Sequence, residues 1–200
     1  MKKAAIAVLV SGGGTNLQAL IDAQSAGILQ NGAISLVISN NSNAYALERA
    51  AKAGIPAEIV TKKQCGSQSA FEQKIKELIA RYNIDLIVLA GFMSILSEDF
   101  TKDYPERIIN VHPSLIPSFC GVGYYGLRVH EEALAYGVKV TGATVHFVNE
   151  IPDGGKILMQ KAVYIEDGDT PEVLQKRVME QAEWKILPAA VEMVSKEIVG

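Results

Sequence analysis

The sequence is poor in the residues that build disulfide frameworks and structural metal sites. Its 200 residues include only two cysteines, Cys65 and Cys120, and three histidines, and none of them has the spacing of a zinc site. The two cysteines could form one disulfide, but two free thiols in a reducing compartment fit the sequence better. We therefore expect a cytoplasmic protein that needs no metal ion.

Long apolar runs and an excess of basic residues are also missing. No apolar run approaches the roughly 20 residues that a membrane-spanning helix needs. The run that follows Lys2 and Lys3 is short and ends at three glycines, so we interpret it as a buried strand rather than a signal peptide. The formal net charge of -3 argues against sequence-independent binding of nucleic acid, which requires a basic surface. Small-molecule partners are favoured.

The remaining composition is that of an ordinary globular protein, 48% hydrophobic and 20% charged, and the length suits a single domain over residues 1–200. Short runs that are apolar on both faces alternate with helical patterns. This predicts an α/β fold with a doubly wound, mostly parallel sheet and helices on both faces. The predicted strands are Ala4–Val10, 34–39, 57–60, 86–90, Ile108–His112, 141–148 and 156–165, and the predicted helices are 17–26, 44–53, 67–82, 127–135 and one that begins after Thr170.

A glycine-rich turn, Ser11 to Gly14, joins the first predicted strand to a helix that begins around Thr15 and Asn16. Glycines let the backbone approach a ligand closely, and the free N–H groups at a helix start favour an anion. The pattern is neither G-x-G-x-x-G nor a P-loop, so a single phosphate group is favoured over a dinucleotide or a triphosphate. A purely structural turn is the alternative. Its place on the first strand-to-helix turn favours ligand binding.

Asn110 and His112 lie two residues apart at the end of the fifth predicted strand, so their side chains face the same side. In open α/β sheets, ligands bind at the carboxyl ends of parallel strands. An asparagine amide can donate hydrogen bonds to a developing oxyanion, and a histidine can donate, accept or carry a proton near neutral pH. We therefore favour a catalytic pair over a buried structural histidine.

Asp153 lies in the loop IPDGG, for which two interpretations are open. One is an ordinary surface turn. The other is a carboxylate beside His112, whose negative charge would raise the pKa of the imidazole and favour its charged form. His146, in an apolar strand, and His130, on a short helix, are weaker functional candidates.

Five segments together resemble the phosphoribosylglycinamide formyltransferase family of purine biosynthesis. They are SGGGTNLQALID at the glycine turn, AGFMSILS at 90–97, NVHPSLIPSF at 110–119, VTGATVHFV at 140–148 and DGGKILMQ at 153–160. Their order and spacing extend the resemblance over nearly the whole chain. It implies a Rossmann-like formyltransferase domain that transfers a formyl group from 10-formyltetrahydrofolate, the co-substrate, to the amine of 5-phosphoribosylglycinamide.

The resemblance also implies roles for particular residues. The catalytic residues are Asn110, His112 and Asp153; the substrate-binding residues are Gly14, Thr15, Asn16 and Glu183; and the folate-binding residues are Met93, Ser94, Ile95, Leu96 and Asn110. Glu183, on the last predicted helix, would contact the glycinamide end, although an ordinary solvated helix face is its alternative. For Ile95 and Leu96, the alternative to folate binding is an ordinary position in the hydrophobic core.

The chain departs from the family pattern at several positions. Residues 120–125, CGVGYY, add about five residues beside the catalytic strand, where they are expected to affect access or an interface. Gln68 and Ser94 stand where arginine is expected, and Trp184 stands where histidine is common.

Other functions fit parts of the pattern. A formyltetrahydrofolate hydrolase would use water as acceptor, but those enzymes usually read His-His-Ser where this chain reads His112-Pro113-Ser114. Methionyl-tRNA formyltransferase shares the catalytic pattern but carries a C-terminal domain that holds tRNA. A nucleotide-sensing module without catalysis would explain the glycine turn and leave the convergence of Asn110, His112 and Asp153 unexplained.

The sequence is compatible with both a monomer and a homodimer.

Overall fold

Seven strands form one sheet in this computed structural model, which describes residues 2–200. They are β1 (Ala4–Val10), β2 (Gly32–Ser39), β3 (Ala57–Ile59), β4 (Leu86–Leu89), β5 (Ile108–His112), β6 (Val140–Phe147) and β7 (Ile157–Tyr164). Their order is β3-β2-β1-β4-β5-β6-β7. The first five are parallel, whereas β6 is antiparallel to both β5 and β7. The predicted doubly wound, mostly parallel sheet is confirmed.

The helices begin and end close to the predicted positions. They are α1 (Thr15–Ser25), α2 (Tyr45–Lys52), α3 (Lys62–Cys65), α4 (Gln68–Arg81), α5 (Glu98–Lys102), α6 (Leu127–Tyr136), α7 (Pro171–Val178) and α8 (Trp184–Val199), with a π-helical turn (Met179–Glu183) between the last two. Side chains of Ser67, Ser97 and Thr170 cap the starts of α4, α5 and α7 by accepting a backbone N–H. Helices α3 and α5 were not predicted, because four or five residues are too few to show a periodic pattern.

Two hydrophobic clusters lie on opposite faces of the sheet. Along β1, Ile6 and Val8 belong to the cluster that includes α1 and α8, whereas Ala7 and Leu9 belong to the cluster that includes α4. Alternate residues of a strand point to opposite faces, so β1 is apolar on both. The expected covering of the sheet by helices on both sides is therefore confirmed.

The parallel strands end at one edge of the sheet, and this edge collects the polar candidates. The glycine turn follows β1, Asn40 follows β2, the segment 90–97 follows β4, and Asn110 and His112 lie at the end of β5. Because β6 returns beside β5, His146 pairs with Asn110 across the sheet. The topology thus brings five distant parts of the chain to a single region.

None of the helices within residues 2–200 combines the length and the apolar character that crossing a bilayer requires.

Candidate active site

A compact polar group forms where β5 and β6 lie side by side. The amide nitrogen Nδ2 of Asn110 lies 3.1 Å from Nε2 of His146, and His146 Nδ1 lies 2.8 Å from the carbonyl oxygen of Phe147. The Asp153 carboxylate lies between the two histidines, 3.6 Å from His112 Nδ1 and 3.7 Å from His146 Nε2. The structure therefore brings Asn110, His112 and Asp153 together, and it adds His146 to them.

Asp153 is positioned by the loop between β6 and β7, which folds back over the sheet. Its backbone has a φ of 56°, and its Oδ2 accepts a hydrogen bond of 2.8 Å from the N–H of Gly121. Burial opposes its ionisation, but the contacts with His146, His112 and Gly121 together hold the pKa of this carboxyl below its usual value. Asp153 is therefore ionised at neutral pH, and the surface-turn interpretation is wrong.

His112 differs from the expectation drawn from the sequence. It is 4% exposed, and its pKa is lowered overall: burial is the largest cause and His146 adds to it, against the opposing effects of the Asp153 charge and the Phe119 carbonyl. The prediction that Asp153 would make the charged imidazole the favoured form is thus wrong, because desolvation outweighs the ion pair. His112 Nε2 donates to the carbonyl oxygen of Phe119 at 2.9 Å, which favours the Nε2–H tautomer for the neutral ring.

His146 is the site residue that sequence reasoning underrated. Its membership in this group depends on the register of β5 against β6, in which Asn110 faces His146, and no short-range pattern reveals that register. His130 on α6 is completely buried, and its ring nitrogens have no hydrogen-bond partner among residues 2–200. Burial lowers the pKa of His130 to about 4, so its ring is neutral.

The glycine turn ends in a close contact between α1 and α2. Gly14 has a φ of 69°, and a Cβ at this position would lie 2.6 Å from Cβ of Ala46, so both the conformation and the space require glycine. The first N–H groups of α1, from Thr15 onward, have no acceptor within the helix. Arg49 of α2 donates from Nε to the carbonyl oxygen of Gly13 at 2.8 Å. Sequence reasoning missed this cation beside the anion-binding candidate.

Glu183 lies in the π-helical turn and reaches the start of α1. It is only 6% exposed, and its Oε2 accepts a hydrogen bond of 2.6 Å from Asn16 Nδ2. The alternative of a solvated helix face is therefore wrong. Asn16 Oδ1 is buried and lacks a hydrogen-bond partner within the described chain. Burial raises the pKa of Glu183 to about 7, although the Asn16 hydrogen bond opposes this.

The raised pKa of Glu183 predicts a pH dependence of stability. Folding holds a proton on this carboxyl between its ordinary pKa of 4.5 and about 7, so its contribution to the free energy of unfolding falls as pH rises through that window. The loss is at most about 3 to 4 kcal/mol, from about 1.4 kcal/mol per pKa unit. Urea unfolding of the wild type and Glu183→Gln at pH 5 and pH 8 should show the wild type losing stability relative to the variant. An equal change in the free energy of unfolding of both proteins between pH 5 and pH 8 would contradict this prediction.

The segment 93–96 is fixed by its neighbours while two of its side chains point outward. The Met93 N–H donates to Ser11 Oγ at 2.8 Å, and Ser94 Oγ accepts from Asn40 Nδ2 at 2.8 Å. Met93 is 57% and Ile95 64% exposed, whereas Leu96 is 6% exposed. The side chain of Ile95 therefore lies outside the core, whereas that of Leu96 lies within it.

Residues 120–125 border this site directly. Phe119 and Gly121, on either side of Cys120, supply the carbonyl to His112 and the N–H to Asp153. The rings of Tyr124 and Tyr136 approach Phe119 with centroids 6.4 and 5.9 Å away. The insertion therefore contacts the polar group, as its position in the sequence led us to expect.

A mostly parallel sheet with ionisable groups at its strand ends, beside a helix start suited to an anion, is typical of α/β enzymes that act on small phosphorylated molecules. The chain belongs to the formyl transferase family, whose pattern matches residues 4–191.

Curated relatives agree with this assignment. The phosphoribosylglycinamide formyltransferase of Haemophilus influenzae is 42% identical over 191 residues, which cover 96% of this chain and 86% of that protein. The trifunctional purine biosynthetic protein adenosine-3 of Bos taurus is 44% identical over 99% of this chain. The chain spans about a fifth (19%) of the length of that trifunctional relative.

Solved structures share the fold. Glycinamide ribonucleotide transformylase 1 from Symbiobacterium toebii superposes with a TM-score of 0.91 at 39% identity, covering 98% of this chain and 89% of that chain. Phosphoribosylglycinamide formyltransferase from Brucella melitensis has a TM-score of 0.88 at 39% identity, covering 97% and 96%. The resemblance inferred from the five sequence segments is therefore confirmed.

Proposed function

We propose that this protein transfers a formyl group from 10-formyltetrahydrofolate to the amine of 5-phosphoribosylglycinamide. The observation that carries the proposal is the group of Asn110, His112, His146 and Asp153, which combines hydrogen-bond donors with one ionised carboxylate. Acyl transfer needs both, because negative charge develops on an oxygen while the amine must lose a proton.

The region around the start of α1 suits the phosphorylated amine substrate. Gly14, Thr15 and Asn16 would hold the phosphate through the free N–H groups of the first helical turn, with the Arg49 cation beside them. The buried Asn16 Oδ1 has no donor within the described residues, so an N–H group of the substrate would satisfy it. Glu183 accepts a hydrogen bond from Nδ2 of the same Asn16 amide, and it would orient the glycinamide end of the substrate.

The formyl donor would lie along the segment 93–96. Its outward side chains, Met93 and Ile95, offer apolar surface to a flat heterocycle, while Ser94 and Leu96 anchor the segment to the protein. This segment follows β4, and Asn110 lies at the neighbouring end of β5. A donor bound here would present its formyl group to Asn110.

In the proposed reaction, the neutral amine attacks the formyl carbon and charge develops on the formyl oxygen. Asn110 and His112 donate hydrogen bonds to this oxygen, and His146 orients the Asn110 amide through Nε2. His112 acts as a neutral donor, since its pKa lies below the usual value, and the oxygen takes the place of the Phe119 carbonyl at Nε2.

The proton balance assigns Asp153 its role. As the new carbon–nitrogen bond forms, the amine loses a proton to the ionised carboxylate of Asp153. As the bond to the folate nitrogen breaks, that nitrogen takes the proton, directly or through a water molecule, and tetrahydrofolate leaves. The carboxylate is regenerated, so the cycle needs no metal ion.

The assay follows folate release from 10-formyltetrahydrofolate with and without phosphoribosylglycinamide. We expect release only with the amine, together with formylated product. Amine-independent release would identify a hydrolase, and no release under either condition would identify a binding module. Either outcome would overturn the proposal.

A cytoplasmic location and the absence of metal, nucleic-acid and membrane partners remain predictions from composition. The extent of the domain, residues 1–200, is likewise a prediction.

A further inference from the structure

A buried carboxylate holds the segment that follows β4. Glu72 of α4 is 5% exposed, and its Oε1 accepts the backbone N–H of Ser97 at 2.7 Å. Its Oε2 accepts the hydroxyl of the same serine, whose oxygen in turn accepts the N–H of Phe100 at 3.2 Å. One glutamate therefore fixes the end of the segment and, through Ser97, the start of α5.

Neutral groups supply all of these hydrogen bonds. Gln68, one turn before Glu72, is the third donor to the carboxylate, and no lysine, arginine or histidine within residues 2–200 forms an ion pair with it. The cation one turn further along, Lys76, is paired with Asp103 at 2.6 Å. A buried carboxyl group is stable only while its hydrogen-bond donors stay in place. The network therefore depends on the conformation of the segment, and the segment depends on the network.

Helix α4 also holds the middle and the beginning of the segment. Gln68 Nε2 donates to the carbonyl oxygen of Ile95 at 3.1 Å as well as to Glu72. The ring of Phe71 is stacked on that of Phe92, with centroids 6.4 Å apart and planes 9° from parallel. Three side chains of α4 thus contact three points within residues 92–97, at Phe92, Ile95 and Ser97.

We propose that Glu72 is a positioning residue that presents Met93 and Ile95 for binding of the formyl donor, an inference that rests on the proposed function. The hydrogen bonds of Glu72 go to Gln68 and Ser97, and none goes to a residue of the polar group. Its effect is preorganisation: with the backbone of the segment fixed beforehand, binding loses less conformational entropy.

The same geometry assigns a role to Gln68. Its amide nitrogen is engaged by Glu72 and by Ile95, so it is committed to the network rather than free for a ligand. Arginine is expected at this position in the resembling family, and this chain uses the position to brace the segment instead.

The test measures binding of tetrahydrofolate by calorimetry and steady-state kinetics for Glu72→Ala, Glu72→Gln and Gln68→Ala. We expect the dissociation constant of tetrahydrofolate and the KM of the formyl donor to rise about tenfold in Glu72→Ala, because its hydrogen bonds to the segment are lost. The rise should be smaller in the other two variants. The kcat at saturating donor and the KM of phosphoribosylglycinamide should stay near the wild-type values. Hydrogen exchange at the Ser97 amide should accelerate.

Glu77→Ala is the matched control, because Glu77 lies on the same helix and pairs only with Lys74 at the surface. It should leave all five of these quantities unchanged. Unchanged tetrahydrofolate binding in Glu72→Ala, or equal losses for both substrates, would overturn the positioning role. If Glu72→Ala does not fold, Gln68→Ala decides, since removal of a half-buried amide from the first turn of α4 leaves the core intact. Failure of the wild type to bind tetrahydrofolate would instead refute the proposed function.

Discussion

Replacing Asp153 with asparagine is expected to lower kcat roughly 100- to 1,000-fold, the usual loss when one preorganised charged group is removed from such a site. Asparagine keeps the shape of the side chain but cannot take the proton of the amine. It also removes the negative charge that lies between His112 and His146. Steady-state kinetics on purified protein should show the fall in kcat with KM values within a few-fold of the wild type. His112→Ala should show a loss of the same order.

Asp167→Asn is a suitable control, because Asp167 is exposed and lies in the turn before α7. It should retain full activity. Near-normal turnover of Asp153→Asn would remove Asp153 from the mechanism. An independent measurement is the titration of His112 by NMR: the Asp153 charge raises the pKa of this imidazole, so the asparagine variant should titrate at lower pH than the wild type.

Replacing Gly155 with alanine is expected to destabilise the protein by about 3 kcal/mol or more, at the upper end of what an added methyl group costs in a packed site. A Cβ here would lie 1.7 Å from the carbonyl oxygen of Phe147, a backbone atom of β6 that cannot rotate away. The loop that carries Asp153 would have to move off the sheet, so activity should fall with stability. Urea unfolding and kcat report the two effects separately.

Gly168→Ala is the control for Gly155→Ala, because it separates the cost of steric overlap from the cost of backbone strain. Gly168 has a positive φ of 85°, which Gly155 does not have, and nothing lies within 4 Å of its added Cβ. Strain alone costs about 1–2 kcal/mol, and the position is away from the polar group, so activity should be retained. A Gly155→Ala protein as stable and active as Gly168→Ala would show that the β6–β7 loop tolerates displacement.

Much of the fold was predictable because its determinants are local. The runs now seen as β1 and β5 were predicted at their observed bounds, since each is short, mainly apolar and followed by a glycine-rich turn or a proline. The turn at Gly14 and the capped start of α7 at Thr170 and Pro171 followed from residue chemistry alone. The short helices α3 and α5 carry too little pattern to be found.

The candidate site was predictable only in part. Asn110 and His112 could be paired from strand alternation, but Asp153 joined them through the family resemblance. The pairing of His146 with Asn110, the Gly121 N–H on Asp153 and the Glu72 network all join residues distant in sequence. Such contacts depend on strand register and loop path. Whether the pKa of His112 is raised or lowered overall depends on its burial, which cannot be read from the sequence.

The π-helical turn between α7 and α8 has a consequence for helical phase. Leu174, Val178, Ala182 and Ile186 are all buried at a spacing of four, yet in a regular α-helix each such step drifts by about 40° around the axis. The wider turn at Met179–Glu183 takes up part of this drift and keeps the stripe on the core. The same local change of pitch sets the direction of Glu183. Loss of one residue from this turn would therefore rotate Glu183 away from Asn16 and would turn the buried face of α8 away from the core. The number of residues in this turn matters as much as their identity.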